Sequence, residues 1–429
     1  MDQATADQAA TIPVPEPDLT PREIVARAAA LRPKLLERQA DTEERTFYSE
    51  DTHREFTQAG FYRILQPRRF GGYEFDMPTY FRVVIELARG CPSTGWCFCL
   101  AGAHVLQIAS MFSEQAQREV FGPDGHFACA SFGAPVGVAQ PKDGGYVIDG
   151  TFPYASGIPY STHFMGQTLL HPEDPTDPGL MFVISRDKFE RLDDWGDVLG
   201  LIGSGSHSIR IDNAWIPEHH AVREMMIDLL VEGGTPGSRL HGNPMYAGRT
   251  LGFFQGEFGA ITVGIAKAAL DEYERLVTTK PFAWNPTMKR YELEHYQRYV
   301  GEAIAEISAA EAAVIQGAEQ WMELARQNVE EGRPFTAHDD ARLQALQDTA
   351  CRIAWRAVEG ILFRTGGSGS ARNGERMQRY WRDMSTYWSH NTPAQRDLLL
   401  TRLGRMQLGL PLDGPGMAPV RVKEGRAGA

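Results

Sequence analysis

The stretch Gly144–Gly150, which reads GGYVIDG, decides the fold because it marks a change of structural period in the middle of the chain. Paired glycines before an apolar, β-branched run favour a tight turn between two antiparallel strands. Residues 181–185 and 206–211 predict further strands, and Trp215-Ile216-Pro217 closes the region. We therefore predict a middle β domain over residues 126–235.

Both flanks of this β domain predict helices. Thr20-Pro21 is an N-cap followed by proline at the first helical position. Residues 77–88 predict another helix, with Gly90 as its C-cap. Beyond residue 242, apolar residues recur at helical spacing in three long stripes, which is typical of an antiparallel bundle. The predicted fold is α+β and mostly α: a flexible N-terminus (1–18), a helical domain (19–125), the β domain, a helical bundle (236–410) and a tail (411–429).

The charge balance argues against a nucleic-acid partner. The 429 residues contain 43 Lys and Arg against 55 Asp and Glu, a formal net charge of −12. A polyanion is held by clustered cationic side chains, and the sequence has no basic run.

An uncharged run between Arg89 and Glu114 raises the question of a membrane span. Pro92, His104 and Gln107 interrupt it, and such groups are costly in lipid. A buried helix of a water-soluble protein fits better, so no membrane partner is expected. Residues 1–17 lack the basic and apolar regions of a secretory signal, which predicts a cytoplasmic protein.

The five cysteines predict free, buried thiols. They form no CxxC pair and their number is odd, so neither a disulfide framework nor a cysteine zinc site is expected, and no metal is predicted. They are Cys91, Cys97, Cys99, Cys129 and Cys351.

The order of helices, β domain and helices, together with several short motifs, resembles the acyl-CoA dehydrogenase superfamily over nearly the whole chain. The motifs are Arg69–Gly72, Glu86–Arg89 with Ser93-Thr94, Gly145–Gly150, Gly203–Ser206, Ile216-Pro217 and Gly366-Gly367. The resemblance implies a flavin held between the β domain and the bundle, and a homotetramer.

The chain departs from the dehydrogenases at the catalytic base. In most members a glutamate follows an Arg-Asp pair by eight residues; after Arg382-Asp383 that position is Asn391, and an amide cannot accept a proton. In other members the glutamate lies on the first bundle helix, where this chain has Phe254. Glu257, one turn further along, keeps a dehydrogenase open as an alternative.

The motif CPSTGW at 91–96, a histidine about ten residues later (His104) and Tyr154–Gly157 resemble the flavin-dependent monooxygenases of the same fold. These include the oxygenase components of 4-hydroxyphenylacetate 3-hydroxylase and the steroid-ring phenol hydroxylases. The resemblance implies reduced FMN or FAD and O₂ as cofactor and co-substrate, acting through a C4a-hydroperoxyflavin. No Gly-rich βαβ unit for a dinucleotide is present, so a separate NAD(P)H:flavin reductase is expected as partner.

The expected reaction is hydroxylation of a small, phenolic or aromatic substrate. Oxidation of nitrogen or sulfur by the same flavin chemistry is a second possibility, and a non-catalytic member of the fold is another. A phenol is activated by removal of its proton, and histidine suits this role at neutral pH.

Three groups of site residues follow from the resemblance. The catalytic candidates are His390, His104 and Ser156. The flavin-binding candidates are Ser131, Ser156, Ser204, Ser206, Arg249, Gly366 and Gly367. The substrate-pocket candidates are Trp96, His104, Phe254 and Asn391.

Overall fold

The structure is a computed structural model that describes residues 11–171, 173–174, 177–226 and 229–412. Most of the predicted tail, and residues 1–10 of the predicted flexible N-terminus, lie outside these ranges. The remainder of that N-terminus contacts the helical domain, because the Ile12 amide donates to the Arg69 carbonyl at 3.1 Å.

The α-helices of the described chain lie before residue 122 and after residue 235. The first set is α1 (Pro21–Glu37), α2 (Gln39–Arg45), α3 (Glu50–Ala59), α4 (Met77–Gly90), α5 (Pro92–Ala103), α6 (Val105–Met111) and α7 (Glu114–Phe121). The second is α8 (Pro236–His241), α9 (Thr250–Thr279), α10 (Glu294–Arg326), α11 (Ala337–Arg356), α12 (Arg364–Gly366), α13 (Arg376–Trp388), α14 (Asn391–Ala394) and α15 (Arg396–Gln407).

The predicted start of α1 is confirmed in detail. Thr20 accepts from the Glu23 amide, and the Glu23 carboxylate accepts from the Thr20 amide at 2.9 Å, which together form a capping box with Pro21 at the first helical position. At α4 the prediction is wrong by one residue: Gly90 ends the helix, and Cys91 in extended conformation is the C-cap.

The uncharged run is buried, as predicted, but it is two helices rather than one. α5 ends at Ala103 and α6 begins at Val105, with His104 between them. Almost every side chain from Pro92 to Ser110 is buried. No helix in the described part of the chain is long and apolar enough to cross a membrane.

The middle third contains two four-stranded sheets. Their strands are β1 (Cys129–Pro135), β2 (Val138–Lys142), β3 (Gly145–Phe152), β4 (His163–Thr168), β5 (Leu180–Ser185), β6 (Glu190–Arg191), β7 (Ile209–Pro217) and β8 (Ala221–Val222). One sheet has the order β1-β4-β5-β8 and the other β2-β3-β7-β6. An apolar core of their inward side chains, including Ile148, Phe164 and Ile211, fills the β domain.

The predicted hairpin is confirmed, with its turn one residue earlier than the paired glycines. Asp143 and Gly144, with φ of 48° and 73°, join β2 to β3, and positive φ at both central residues is the type I′ geometry. Gly150 lies within β3, where the pairing with β7 shifts register, so Asp149-Gly150 is a strand irregularity and not a second turn.

The bundle is built around α9, which is 30 residues long and packs against α4, α10, α11 and α13. The sequence did not predict the short hairpin of β9 (Pro281–Phe282) and β10 (Asn285–Lys289) that follows it. All five cysteines are buried and free, as expected.

Candidate functional site

A chain of hydroxyl groups lies where the β domain meets α5. The Ser156 and Ser204 hydroxyls each lie 2.7 Å from the Ser206 hydroxyl, and the Trp96 indole N–H donates to Ser156 at 3.1 Å. All four residues are buried. The structure thus brings together three predicted flavin-binding serines and one predicted pocket residue.

Backbone geometry holds this serine chain against α5. Gly157 has φ of 83°, and a Cβ there would lie 2.5 Å from the Cys97 carbonyl oxygen, so only glycine permits this close turn. The Gly157 amide donates to the Ser204 carbonyl at 3.3 Å, which joins the two serine-bearing loops. From the bundle, the Asp383 carboxylate accepts from the Leu201 amide at 2.6 Å.

His104 and Ser131 form a hydrogen-bonded pair beside the serine chain. The Nδ1 atom of His104 lies 2.9 Å from the Cys129 carbonyl oxygen, which only accepts, so Nδ1 carries the proton. In the neutral ring Nε2 is then an acceptor, and it lies 2.7 Å from the Ser131 hydroxyl. Burial lowers the pKa of His104 to about 4, so the imidazole is neutral at pH 7, and its Nε2 lone pair faces the Ser131 hydroxyl.

Aromatic side chains connect His104 to His390. Phe254 contacts His104 with ring centroids 5.7 Å apart, and Phe258, one turn along α9, contacts His390 at 5.0 Å. Trp96 packs against Phe258 at 5.4 Å and against His390 at 6.0 Å. The predicted pocket residues Trp96, His104 and Phe254 therefore lie in one apolar cluster with His390.

His390 has the opposite tautomer. It is the N-cap of α14, and its Nδ1 accepts from the Thr392 amide at 3.2 Å, so the proton of the neutral ring lies on Nε2. Burial lowers the pKa of His390 to about 4. The Nε2 atom of His390 is accordingly a hydrogen-bond donor, whereas the Nε2 atom of His104 is an acceptor.

Glu257 lies among apolar and weakly polar groups of α4 and α5. It is 1% exposed, its Oε1 has no hydrogen-bond partner within the described structure, and Tyr80 and Cys99 are its neighbours. Burial raises the pKa of this carboxyl well above its usual range.

The remaining candidates lie apart from the serine chain. Asn391, the first residue of α14, is exposed in the single chain. The Arg249 guanidinium donates to Glu232 at 3.0 Å and to the Phe335 carbonyl. The Gly366 carbonyl accepts from Arg290 at 2.6 Å, and Gly367 has φ of 91°.

Sequence reasoning missed Phe258, Tyr387 and Asp383. Tyr387 lies against Phe258 with ring centroids 5.6 Å apart. The sequence could have indicated both aromatic residues, because Phe258 is one helical turn from Phe254 and Tyr387 is one turn before His390. The contact of Asp383 with the serine loop spans 182 residues and had none.

Unpartnered polar atoms near the serine chain fit a polar cofactor such as flavin. Trp195 Nε1 and Asp383 Oδ2 are buried and lack a hydrogen-bond partner among the described residues. Trp195 contacts Tyr154, two residues before Ser156, and Asp383 contacts the loop that leads to Ser204. Buried polar groups normally find partners, so a bound ligand with donors and acceptors suits this place.

The chain matches two families of protein domain. Residues 21–124 match "Acyl-CoA dehydrogenase, N-terminal domain", and residues 257–394 match "Acyl-CoA dehydrogenase, C-terminal domain". A solved structure, the 3-HSA hydroxylase from Rhodococcus sp. RHA1, superposes with a TM-score of 0.80 at 26% identity, covering 91% of this chain and 98% of that one. The predicted fold class is therefore confirmed.

Curated relatives match along most of the chain. A pigment production hydroxylase of Rhodococcus sp. (strain ATCC 21145) is 30% identical over 93% of this chain and 99% of its own length. The flavin-dependent monooxygenase oxygenase subunit HsaA of Rhodococcus jostii is 29% identical over 90% and 98%. An FADH₂-dependent resorcinol hydroxylase, oxygenase component, of Rhizobium sp. is 28% identical over 83% and 86%. This chain belongs to the flavin-dependent monooxygenases of the acyl-CoA dehydrogenase fold.

Proposed function

We propose that this chain is the oxygenase component of a two-component hydroxylase that acts on a small phenol with O₂. A separate NAD(P)H:flavin reductase would supply the reduced FMN or FAD. The observation that carries the proposal is the pair of a neutral His104, with Nε2 as acceptor, and Ser131 at 2.7 Å. The relatives support it by name, since one acts on resorcinol, a phenol.

Reduced flavin, when bound, supplies the electrons that activate O₂. The hydroxyls of Ser156, Ser204 and Ser206, together with that of Ser131, would hold it by hydrogen bonds. Arg249, Gly366 and Gly367 would take part only where the cofactor extends to the bundle, because their present contacts are with other groups.

The walls of the pocket exclude water. α5 and α6 carry no charged side chain, and Trp96, Phe254 and Phe258 pack against the two histidines. Exclusion of water by these side chains would favour oxygen transfer to the substrate over release of hydrogen peroxide.

His104 would remove the phenol proton through Ser131. The Ser131 hydroxyl gives its proton to His104 Nε2 and takes the proton of the phenol, which leaves a phenolate with an electron-rich ring. The Cys129 carbonyl, bonded to Nδ1–H at 2.9 Å, stabilises the imidazolium that forms. His390 would then donate its Nε2–H to an oxygen atom in the pocket.

The test is turnover with any flavin reductase, NADH and a panel of phenols, thioethers and amines. Hydroxylated phenol containing one atom of ¹⁸O from ¹⁸O₂ is the expected product. Oxidation of only the thioethers or amines would favour the N- or S-oxidising alternative. Reduction of an electron-acceptor dye by a CoA thioester without O₂ would instead identify a dehydrogenase that uses Glu257.

We also propose a homotetramer in the cytoplasm. The length and burial of α9 are compatible with contacts between subunits, although packing within one chain accounts for them equally. Light scattering of the purified protein measures the assembly, and a mass of one chain would contradict it.

A further inference from the structure

Two histidines and a glutamate meet at the surface junction of the helical and β domains, away from the serine chain. The Nε2 atoms of His219 and His220 each lie 2.8 Å from the same oxygen, Oε2 of Glu119. The candidate ligand atoms of the three residues lie within 4.8 Å of one another. Two imidazole nitrogens and one carboxylate oxygen are a donor set that suits Zn²⁺ and related transition-metal ions.

We propose that Glu119, His219 and His220 form a binding site for a divalent transition-metal ion, with zinc as the preferred probe. Atoms bound to one Zn²⁺ at about 2 Å stand roughly 3 Å from each other, so the three side chains need little movement to close around an ion. This set of ligands contains no thiol, so it is independent of the spacing of the cysteines. Water would occupy the fourth position, because all three side chains are partly exposed.

The surroundings of the three residues favour ligation. Gln115, one turn before Glu119 on α7, donates to Glu119 Oε1 at 3.2 Å and leaves Oε2 directed at the histidines. The ring planes of His219 and His220 are 86° apart, so the two Nε2 atoms approach the shared oxygen from different directions.

The nearby cation Lys188 is held by other groups. Its ammonium donates to the Trp215 carbonyl at 2.9 Å and lies 5.9 Å from the Trp215 ring centre. His163, which also faces His220, is half-buried, and its Nδ1 lies 3.0 Å from the Thr162 hydroxyl. Glu119 Oε2 is therefore contacted by the two histidines and not by Lys188.

The position of this metal site gives it a structural role. Glu119 belongs to α7 of the helical domain, whereas His219 and His220 lie in the turn Glu218–His220 between β7 and β8. An ion bound by all three would cross-link two domains whose junction also holds the flavin-binding serines. An ion that binds only the folded chain raises its thermal stability.

The experiment is calorimetric titration of the full, chelator-treated chain with ZnCl₂, together with thermal unfolding and Co²⁺ absorption. We expect one Zn²⁺ per chain, a higher Tm with zinc, and visible Co²⁺ bands of a four-coordinate site. His219→Ala, His220→Ala and Glu119→Gln should each weaken zinc binding by at least about tenfold, as loss of one of three ligands removes a metal–ligand bond.

The matched control is His171→Ala. His171 is an exposed histidine 3.7 Å from Glu173, with no third ligand in the described set, so its loss should leave zinc binding unchanged. Equal zinc affinity in the wild type and in a chain with all three ligands replaced would overturn the proposal. So would a wild-type chain that binds no zinc while its Tm shows it to be folded.

Discussion

His104 and His390 lie at opposite ends of one aromatic cluster, and their hydrogen bonds give them opposite roles. A backbone carbonyl fixes the proton of His104 on Nδ1, whereas a backbone amide fixes that of His390 on Nε2. Burial lowers both pKa values to about 4, so both rings are neutral at pH 7 and the two histidines differ in tautomer and not in charge. The main chain therefore decides which histidine can act as a base, because the Cys129 carbonyl accepts from His104 and the Thr392 amide donates to His390.

Replacement of His104 should have the largest effect on turnover. His104→Ala removes the proton acceptor, so kcat for a phenol should fall by about 10² to 10⁴-fold at neutral pH. Because a phenol loses its proton unaided at alkaline pH, activity of the variant should rise toward the pKa of the substrate. Product formation measured by chromatography between neutral and alkaline pH tests this.

The matched control for His104 is His241→Ala. His241 is also a histidine whose pKa is lowered to about 4, but it bonds to Gln117 outside the aromatic cluster. This variant should keep the wild-type pH profile. A His104→Ala variant with the same pH profile as the wild type would show that His104 is not the base.

Acid should destabilise the chain through both histidines. Their pKa is about 4 in the folded protein, below the ordinary value of 6.5, so between these values the unfolded chain binds more protons. Stability is therefore full above about pH 6.5 and falls as pH drops toward 4, by up to about 1.4 kcal/mol per pH unit for each histidine.

Urea unfolding at several pH values measures this loss. In the double variant His104→Gln, His390→Gln the free energy of unfolding should change less steeply with pH, because the two imidazoles no longer titrate. An unchanged slope would mean that the two rings are not buried in the neutral form. Other histidines, such as His53 and His163, will contribute the remaining slope.

Replacement of His390 should have a smaller effect without alkaline rescue. His390→Phe keeps the aromatic contact with Phe258 but loses the Nε2–H donor, and loss of one neutral hydrogen bond should lower kcat/KM by about tenfold. His390→Gln, which keeps a donor, should retain more activity. If the activity of His390→Phe instead recovered at high pH, His390 and not His104 would be the base.

Asn391→Glu should have the smallest effect. Asn391 is exposed at the first position of α14, so stability should change by less than about 0.5 kcal/mol. A carboxylate restored there should not create CoA-thioester oxidation, because the site faces outward. Dye reduction by this variant with a CoA thioester would show that the residue faces the pocket in the assembled enzyme.

The fold was largely predictable because its signals are local. Thr20-Pro21 and the Asp143-Gly144 turn depend on residues within four positions of each other. The break at His104 was not predicted, because a single glycine two residues earlier, Gly102, is compatible with a continuous helix; the bond from His104 to the Cys129 carbonyl becomes visible only in three dimensions.

The sequence predicted that part of the candidate residues lie together, but it did not predict the tautomers of the two histidines. The resemblance named His104, Ser131, Ser156 and His390, and the structure places each of them in the serine chain, the His104–Ser131 pair or the aromatic cluster. Which ring nitrogen carries a proton depends on backbone groups, such as the Thr392 amide, whose direction no sequence pattern gives. The zinc ligands likewise come from α7 and a turn 100 residues later.

The interruption between α5 and α6 constrains how this enzyme can acquire a new substrate. His104 is the residue at which the two helices join, so a change of volume on either one would tilt the imidazole and disturb proton removal. Phe254 and Phe258 project instead from the unbroken α9. Phe254 packs against His104 but Phe258 packs against His390, so a change of the Phe258 ring alters the space beside His390 and keeps the contacts of the base, which makes this position of α9 one at which substrate range can be engineered.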